Sequence, residues 1–230
     1  MSLFKRHALI AVALVAALGA TGCNDDDNNN PVAPAAPASV MAIHASPDAP
    51  AVDLLVDNVV AGTGLAFPDN TGYLSVSAGS HNIKVNVTGT STTVIDANVS
   101  VTGGTSYSVF AVDSVAVISA LVLEDDLTTP AAGKAHVRFV HLSPNAPAVD
   151  IAVQGGPVVF ANKAFKEYTA FTPLDAGTYD LEVRLAGTST VVLPLNGITL
   201  QAGKIYTVFA RGFVGGTGAQ DLGAEIIVNN

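Results

Sequence analysis

The sequence predicts an all-β chain, two tandem immunoglobulin-like antiparallel β-sandwiches that follow a signal peptide and a disordered tether. Three observations predict it. A decapeptide, His44-Ala-Ser-Pro-Asp-Ala-Pro-Ala-Val-Asp53, returns 97 residues later as His141-Leu-Ser-Pro-Asn-Ala-Pro-Ala-Val-Asp150. Apolar residues alternate with polar ones in short stretches, the period of half-buried strands. Turn-forming pairs rich in Gly, Pro, Asn and Asp divide those stretches at regular intervals.

The echo counts the repeats. Ser77-Ala-Gly-Ser-His-Asn-Ile-Lys-Val85 matches Asp175-Ala-Gly-Thr-Tyr-Asp-Leu-Glu-Val183, and Gly89-Thr-Ser-Thr92 matches Gly187-Thr-Ser-Thr190. Thr105-Ser-Tyr-Ser-Val-Phe-Ala111 matches Lys204-Ile-Tyr-Thr-Val-Phe-Ala210. A period near one hundred is too long for a solenoid unit, which repeats every ~20–50 residues. Each copy is long enough to bury a core of its own. The expected organisation is a signal peptide over 1–22, a lipidated Cys23 and linker over 23–39, sandwiches over 40–126 and 134–230, and a linker over 127–133.

Within the first copy, strands are expected at 40–44, 52–56, 73–77, 83–87, 93–98, 107–112 and 115–123. Ile83, Val85 and Val87 point one way, Asn82, Lys84 and Asn86 the other. The second copy repeats this with Leu181, Val183 and Leu185 inward and Asp180, Glu182 and Arg184 outward. No segment has a helical period, and 162–168 has room for one turn at most. Tyr107 and Tyr206 each stand three residues after a glycine, early in a late strand, where a sandwich tyrosine often bonds back to the preceding corner. The alternative is an ordinary half-buried aromatic.

The first residues belong to sorting. Lys5-Arg6-His7 precedes an uninterrupted apolar run of 11 residues, Ala8 to Leu18. That is short of the roughly 20 residues that span a bilayer but suits a signal peptide. The run closes in Leu18-Gly-Ala-Thr-Gly-Cys23. There the chain resembles bacterial lipoproteins, whose signal ends in a small residue and a cysteine that is lipidated. Asn24, directly after Cys23, implies by that resemblance the outer membrane. The alternative is cleavage near Gly19 and a secreted protein with a free thiol. Cys23 is the only cysteine, so both cores hold without a disulfide. The tether, with three acids, an Asn run and Pro31, Pro34 and Pro37, cannot build a core.

Only 13% of residues are charged, about half the usual share. The first copy has nine acids against Lys84 alone, while the second has seven acids and seven bases. An acidic chain of this kind has no basic face for nucleic acid or anionic lipid.

Two places invite a functional reading. In the decapeptides, His44, Ser46, Asp48 and Asp53, with His141, Ser143, Asn145 and Asp150, are of the types that bind metal. One histidine per domain is thin for zinc, and two carboxylates only begin a calcium shell. The structural alternative is a rigid connection: prolines fix φ, Ser46 and Asp48 bond nearby amides, and Asp53 caps a turn. His141 shares the parity of Val137 and Phe139, opposite His136 and Arg138, so it faces inward and bonds a carbonyl. Ser46, His44 and Asp53 also match a hydrolase triad by type, yet no Gly-x-Ser-x-Gly elbow surrounds the serine. No catalytic residues, metal or cofactor are expected. The second place is the Gly-rich tip at 212–218, whose Phe213 and Val214 are candidates for a partner contact.

The decapeptide, the Ala-Gly-(Ser/Thr) before a strand, the Tyr-(Ser/Thr)-Val-Phe-Ala strand and the closing Leu121-Val-Leu-Glu-Asp125 together resemble the bacterial and archaeal domain of unknown function 4397. The resemblance covers both copies, except that Glu225-Ile-Ile-Val-Asn229 replaces the acidic closing run. It implies exported, surface-anchored modules in tandem and carries no catalytic residues. The expected function is therefore a non-catalytic, membrane-tethered envelope module for adhesion, matrix or surface assembly, with an envelope protein or the extracellular matrix as partner. The alternative is a lipoprotein that binds a divalent metal, a glycan or a peptide through the repeated loop or the tip. No Trp and only five Tyr disfavour a glycan.

Overall fold

Each repeat folds into eight strands, one more than the alternation of its sequence shows. A computed structural model describes residues 35–230; the expected signal peptide, Cys23 and most of the expected tether lie outside the described residues. The first repeat holds β1 (Ala38–His44), β2 (Val52–Val56), β3 (Val59–Leu65), β4 (Asn70–Val76), β5 (Gly79–Val87), β6 (Thr93–Val101), β7 (Ser106–Val112) and β8 (Ser119–Asp125). The second holds β9 (Lys134–His141), β10 (Val149–Val153), β11 (Val158–Lys163), β12 (Thr172–Asp175), β13 (Gly177–Leu185), β14 (Val191–Leu200), β15 (Ile205–Arg211) and β16 (Gly223–Val228).

The extra strand, β3, is hidden in the sequence for physical reasons. Val59 and Val60 are exposed, and Gly62 and Gly64 interrupt any pattern. What makes the hairpin is its two-residue loop. Asp57 and Asn58 have φ of 51° and 63° between Val56 and its partner Val59. Two successive positive φ values give the turn whose twist matches that of the flanking strands. The last strand also differs from the expected 115–123. Val115–Val117 forms a 3-10 turn, and β8 begins after it.

Each repeat has two four-stranded sheets, β4-β1-β7-β8 over β3-β2-β5-β6, and β12-β9-β15-β16 over β11-β10-β13-β14. Pairing is antiparallel except between β1 and β7 and between β9 and β15. Ala42, Val52, Leu54, Val85 and Ile95 fill the space between the sheets of the first sandwich. Val137, Phe139, Val149, Ile151, Val183 and Val208 do so in the second. Both tyrosine corners form. The hydroxyl of Tyr107 accepts from the amide of Thr102 at 3.2 Å, and that of Tyr206 from Gln201 at 3.0 Å.

The outer faces of β4-β1-β7-β8 and β12-β9-β15-β16 cover each other over most of their extent. Met41, Ile43, Phe110, Val112 and Leu123 pack against Val140, Leu142, Phe209 and Ile227 in a third core between the repeats. Phe110 and Phe209, equivalent residues of the two copies, meet edge-to-face with ring centroids 5.8 Å apart. The result is four stacked sheets, and residues Ala35–Asn230 make one compact unit.

Candidate functional site

The repeated decapeptide is the connection from β1 to β2, or from β9 to β10, and the structure accounts for its residues nearly twice over. His44 and His141 are buried, and each Nε2–H donates to a proline carbonyl six residues on, Pro50 and Pro147, both at 3.1 Å. A carbonyl only accepts, so each ring carries its proton on Nε2. Burial pushes both imidazoles below their ordinary pKa, which keeps them neutral.

Asp53 closes the other end of the motif. Its Oδ1 accepts from the amide of Gly64 at 2.8 Å and from the hydroxyl of Thr88 at 3.0 Å, and its Oδ2 from the amide of Gly89 at 3.1 Å. These amide bonds hold its carboxyl below the usual carboxylate range, the Gly64 bond most strongly. Asp150 does the same for the amides of Asn162 at 2.7 Å and Gly187 at 2.9 Å. Each aspartate thus ties its strand to the bulge of the neighbouring edge strand and to the following hairpin.

Asp48 and Asn145 hold the loop before the last strand. Asp48 accepts from the amide of Val115 at 2.8 Å. Asn145 accepts from the amide of Val214 at 2.8 Å and donates to its carbonyl at 3.1 Å. The Asp-to-Asn change between copies therefore keeps one bond and gains another. Ser143 donates to the carbonyl of Gly212 at 2.7 Å. Ser46 is equally buried, but its hydroxyl has no such bond.

The candidate triad is not brought together: His44 is directed at Pro50 and Asp53 at Gly64, Thr88 and Gly89. No group of three or more His, Cys, Asp or Glu is gathered for a metal among the described residues. The carboxylates that would begin such a shell are already accepting from backbone amides.

At the tip, Phe213 is half-buried and Val214 is 49% exposed. The tip is folded on itself. Phe213 N–H donates to Gln220 O at 2.8 Å, and Gly216 N–H to Phe213 O at 3.0 Å. Gly212 has φ +80° and faces the Asp221 carbonyl so closely that a Cβ there would overlap it. The tip is five residues longer than its counterpart, because Ala210 matches Ala111 but Ile227 matches Leu123.

The residues that sequence reasoning missed lie between the repeats. Arg138, on the face assigned opposite the core, is buried with the side chain of Asp125. Their Nη1 and Oδ1 stand 2.7 Å apart. Arg138 Nη2 also donates to Thr207 at 2.9 Å and Ser108 at 3.2 Å. Its guanidinium lies 4.5 Å from the ring centroid of Phe171. Asp125 Oδ2 accepts from Tyr73 at 2.6 Å and Ser108 at 2.7 Å. Asn229 completes the circuit, donating to the Tyr73 hydroxyl at 2.9 Å and accepting from Thr207 at 2.8 Å. Burial, with the Asp125 bond, pushes the Tyr73 phenol above its ordinary pKa. At the rim Lys166 pairs with Asp113 at 3.3 Å, and Arg211 lies over Phe67 at 5.6 Å.

One signal pointed here. Residues 106–112 and 205–211 are buried along almost their whole length. The unbroken runs Val-Phe-Ala-Val and Val-Phe-Ala mark strands covered on both faces.

A search of curated proteins finds no match. Among solved structures that match is the crystal structure of CBMbc (family CBM26) from Eubacterium rectale Amy13K in complex with maltoheptaose. It is 9% identical, covers 82% of this chain and 96% of that one, and has a TM-score of 0.26. A likeness so distant carries no argument about this chain. The family model of the domain of unknown function 4397 matches residues 38–152 and again 152–230. With its ordered motifs present twice and most of its length matched, the chain belongs to the family of the domain of unknown function 4397.

Proposed function

We propose that the chain is a non-catalytic module of the cell envelope, tethered by a lipid on Cys23 and used for adhesion, matrix or surface assembly. The observation that carries the reading is the fusion of the two sandwiches into one block. An apolar core and a closed polar circuit join them, so the tether would carry a rigid body and not two loosely strung domains. The repeated motif supports it too, since its polar side chains bond the protein's own backbone.

The tether sequence suits a stalk. As a flexible coil, a segment of this length spans about 20–25 Å, enough to lift a folded body off a membrane surface. Metabolic labelling with a fatty acid, followed by whole-cell protease shaving, tests both halves of the proposal. The expected results are label on the wild-type chain, none on Cys23→Ala, and release of that variant into the soluble fraction. Surface exposure predicts that shaving removes the folded block from intact cells. A chain that stays unlabelled would overturn the tether, and a wild-type chain found in the cytosol would overturn the envelope role.

A further inference from the structure

The two sandwiches differ in their interiors: Ala42, Gly62 and Ala97 of the first have Phe139, Phe160 and Leu195 as counterparts in the second. At the tip end of the second sandwich lies a cavity of about 360 Å³, lined by His141, Ala146, Val149, Leu185, Val192 and Val214 among others. Further along the same gap, beyond Phe139 and Ile151, lies a second space of about 210 Å³. They lie end to end: β9 gives Val137 and Phe139 to one and His141 to the other, and β10 gives Ile151 and Val153 to one and Val149 to the other. In the first sandwich the enclosed spaces between the sheets are about 30 Å³ each, and a more open depression of about 390 Å³ lies at its edge, between Val59 and Leu74. Well-packed interiors leave few voids larger than a water molecule, and the enclosed interior of the first sandwich follows that rule while that of the second does not.

One side chain accounts for part of the difference: Leu65, opposite Val52 and lining the first gap, has Lys163, opposite Val149, as its counterpart. Around the larger cavity His141, Val149, Val183, Leu193 and Ala210 have the counterparts His44, Val52, Val85, Ile95 and Ala111. The longer tip differs as well, and it carries Val214 over the end of the gap. Val214, 49% exposed, and Val192, 37% exposed, put apolar surface at the mouth.

We infer that the second sandwich takes up an aliphatic chain, end-on between its sheets, through the mouth beside Val192 and Val214. Two spaces in line along one gap suit an extended chain better than a ring system. The mouth cavity is apolar apart from one histidine whose Nε2–H is held by Pro147, and the only charges along the further space, Lys134 and Asp175, pair with each other. An ionised head group has no counter-charge there and stays outside. Apolar cavities of only about 150 Å³ stay dry and take up a molecule as small as benzene. Removal of alkyl surface from water supplies the driving force.

The chain has two possible sources, a free single-chain amphiphile or the acyl group of a membrane phospholipid, and the experiment separates them. Purified full-length Cys23→Ser chain is titrated with decanol by calorimetry. In a parallel arm it is incubated with phosphatidylglycerol vesicles, re-isolated and weighed by native mass spectrometry. The expected result is saturable uptake of one equivalent in at least one arm. Val192→Trp, which fills the mouth, should weaken it at least tenfold. Val94→Trp, its counterpart in the packed first sandwich, should leave it unchanged. Val214→Trp serves as a second plug if Val192→Trp does not fold with the wild-type melting temperature. No saturable uptake in either arm would overturn the inference, as would uptake that neither plug weakens or that Val94→Trp weakens equally. Each of these results leaves the envelope role standing, since that role is decided by labelling and shaving.

Discussion

Arg138 of the second repeat and Asp125 of the first form a buried ion pair that joins the two sandwiches, 2.7 Å from Nη1 to Oδ1. Register makes the pair asymmetric. Arg138 lies opposite Thr207 as Met41 lies opposite Ser108, and Asn229 follows β16 where Asp125 ends β8. The counterparts of Arg138 and Asp125 are therefore Met41 and Asn229, both uncharged.

That relationship predicts a coupled pair of substitutions. Arg138→Met leaves Asp125 buried without its counter-charge and should cost about 3–5 kcal/mol. Adding Asp125→Asn removes the stranded charge, and the double variant should recover most of the loss. Urea unfolding of the two single variants, the double variant and the wild type measures the coupling. Losses that simply add would show that the pair does not act as a unit.

Asp150 anchors its edge strand and hairpin through the amides of Asn162 and Gly187. Asp150→Ala should destabilise by about 2–3 kcal/mol, the range for hydrogen bonds to a charged group that leave donors unsatisfied. Calcium, zinc and EDTA should leave the melting temperature of the wild type where it is. A shift of several degrees with either metal, lost in Asp150→Ala and Asp53→Ala, would turn the loop into a metal site.

Asn145 bonds both backbone groups of Val214, while Asp48 bonds only the amide of Val115. Asn145→Asp should lose the bond to the carbonyl alone, about 1 kcal/mol. Asn145→Ala should lose both and speed amide exchange at Val214, read by hydrogen–deuterium exchange.

Stability should also depend on pH through three histidines. His44 and His141 are held below their ordinary value of 6.5 by burial. The unfolded chain then takes up protons that the fold refuses, so their contribution is present above pH 6.5 and is lost as pH falls through and below it. His81 is raised by its bond to Asp57, and Asp57 is lowered by the same bond. The His81 contribution is full below 6.5 and disappears as pH rises through its folded value. The melting temperature of His81→Asn should therefore fall more steeply between pH 7 and pH 5 than that of the wild type.

Much of this fold is legible in the sequence because it rests on period and punctuation. Ile83, Val85 and Val87 alternate with polar neighbours, and the decapeptide marks where each repeat begins. β3 is not legible, since its valines face water and its glycines erase the pattern. Parity puts Arg138 on the face opposite the sandwich core, and that face is where it lies. Parity distinguishes two faces of a strand but does not say that a second sheet covers the outer one. The partner sheet comes from the other repeat: Tyr73 is far away along the chain, and Asp125, though near in sequence, stands across the junction between the repeats. Likewise the motif residues are of the types that bind metal; only their geometry shows Asp53 accepting from Gly64 and Gly89.

The asymmetric pair has a consequence for the order in which the chain is made. The first repeat is complete before β15 exists, so Met41, Ile43, Phe110 and Leu123 wait in water for their cover. Two such half-finished chains would meet through this same sticky sheet. Asp125 would then face another carboxylate, or a methionine, instead of a guanidinium. A pairing of two first repeats would thus bury Asp125 without a counter-charge, a cost that closure onto the second half of the same chain does not carry.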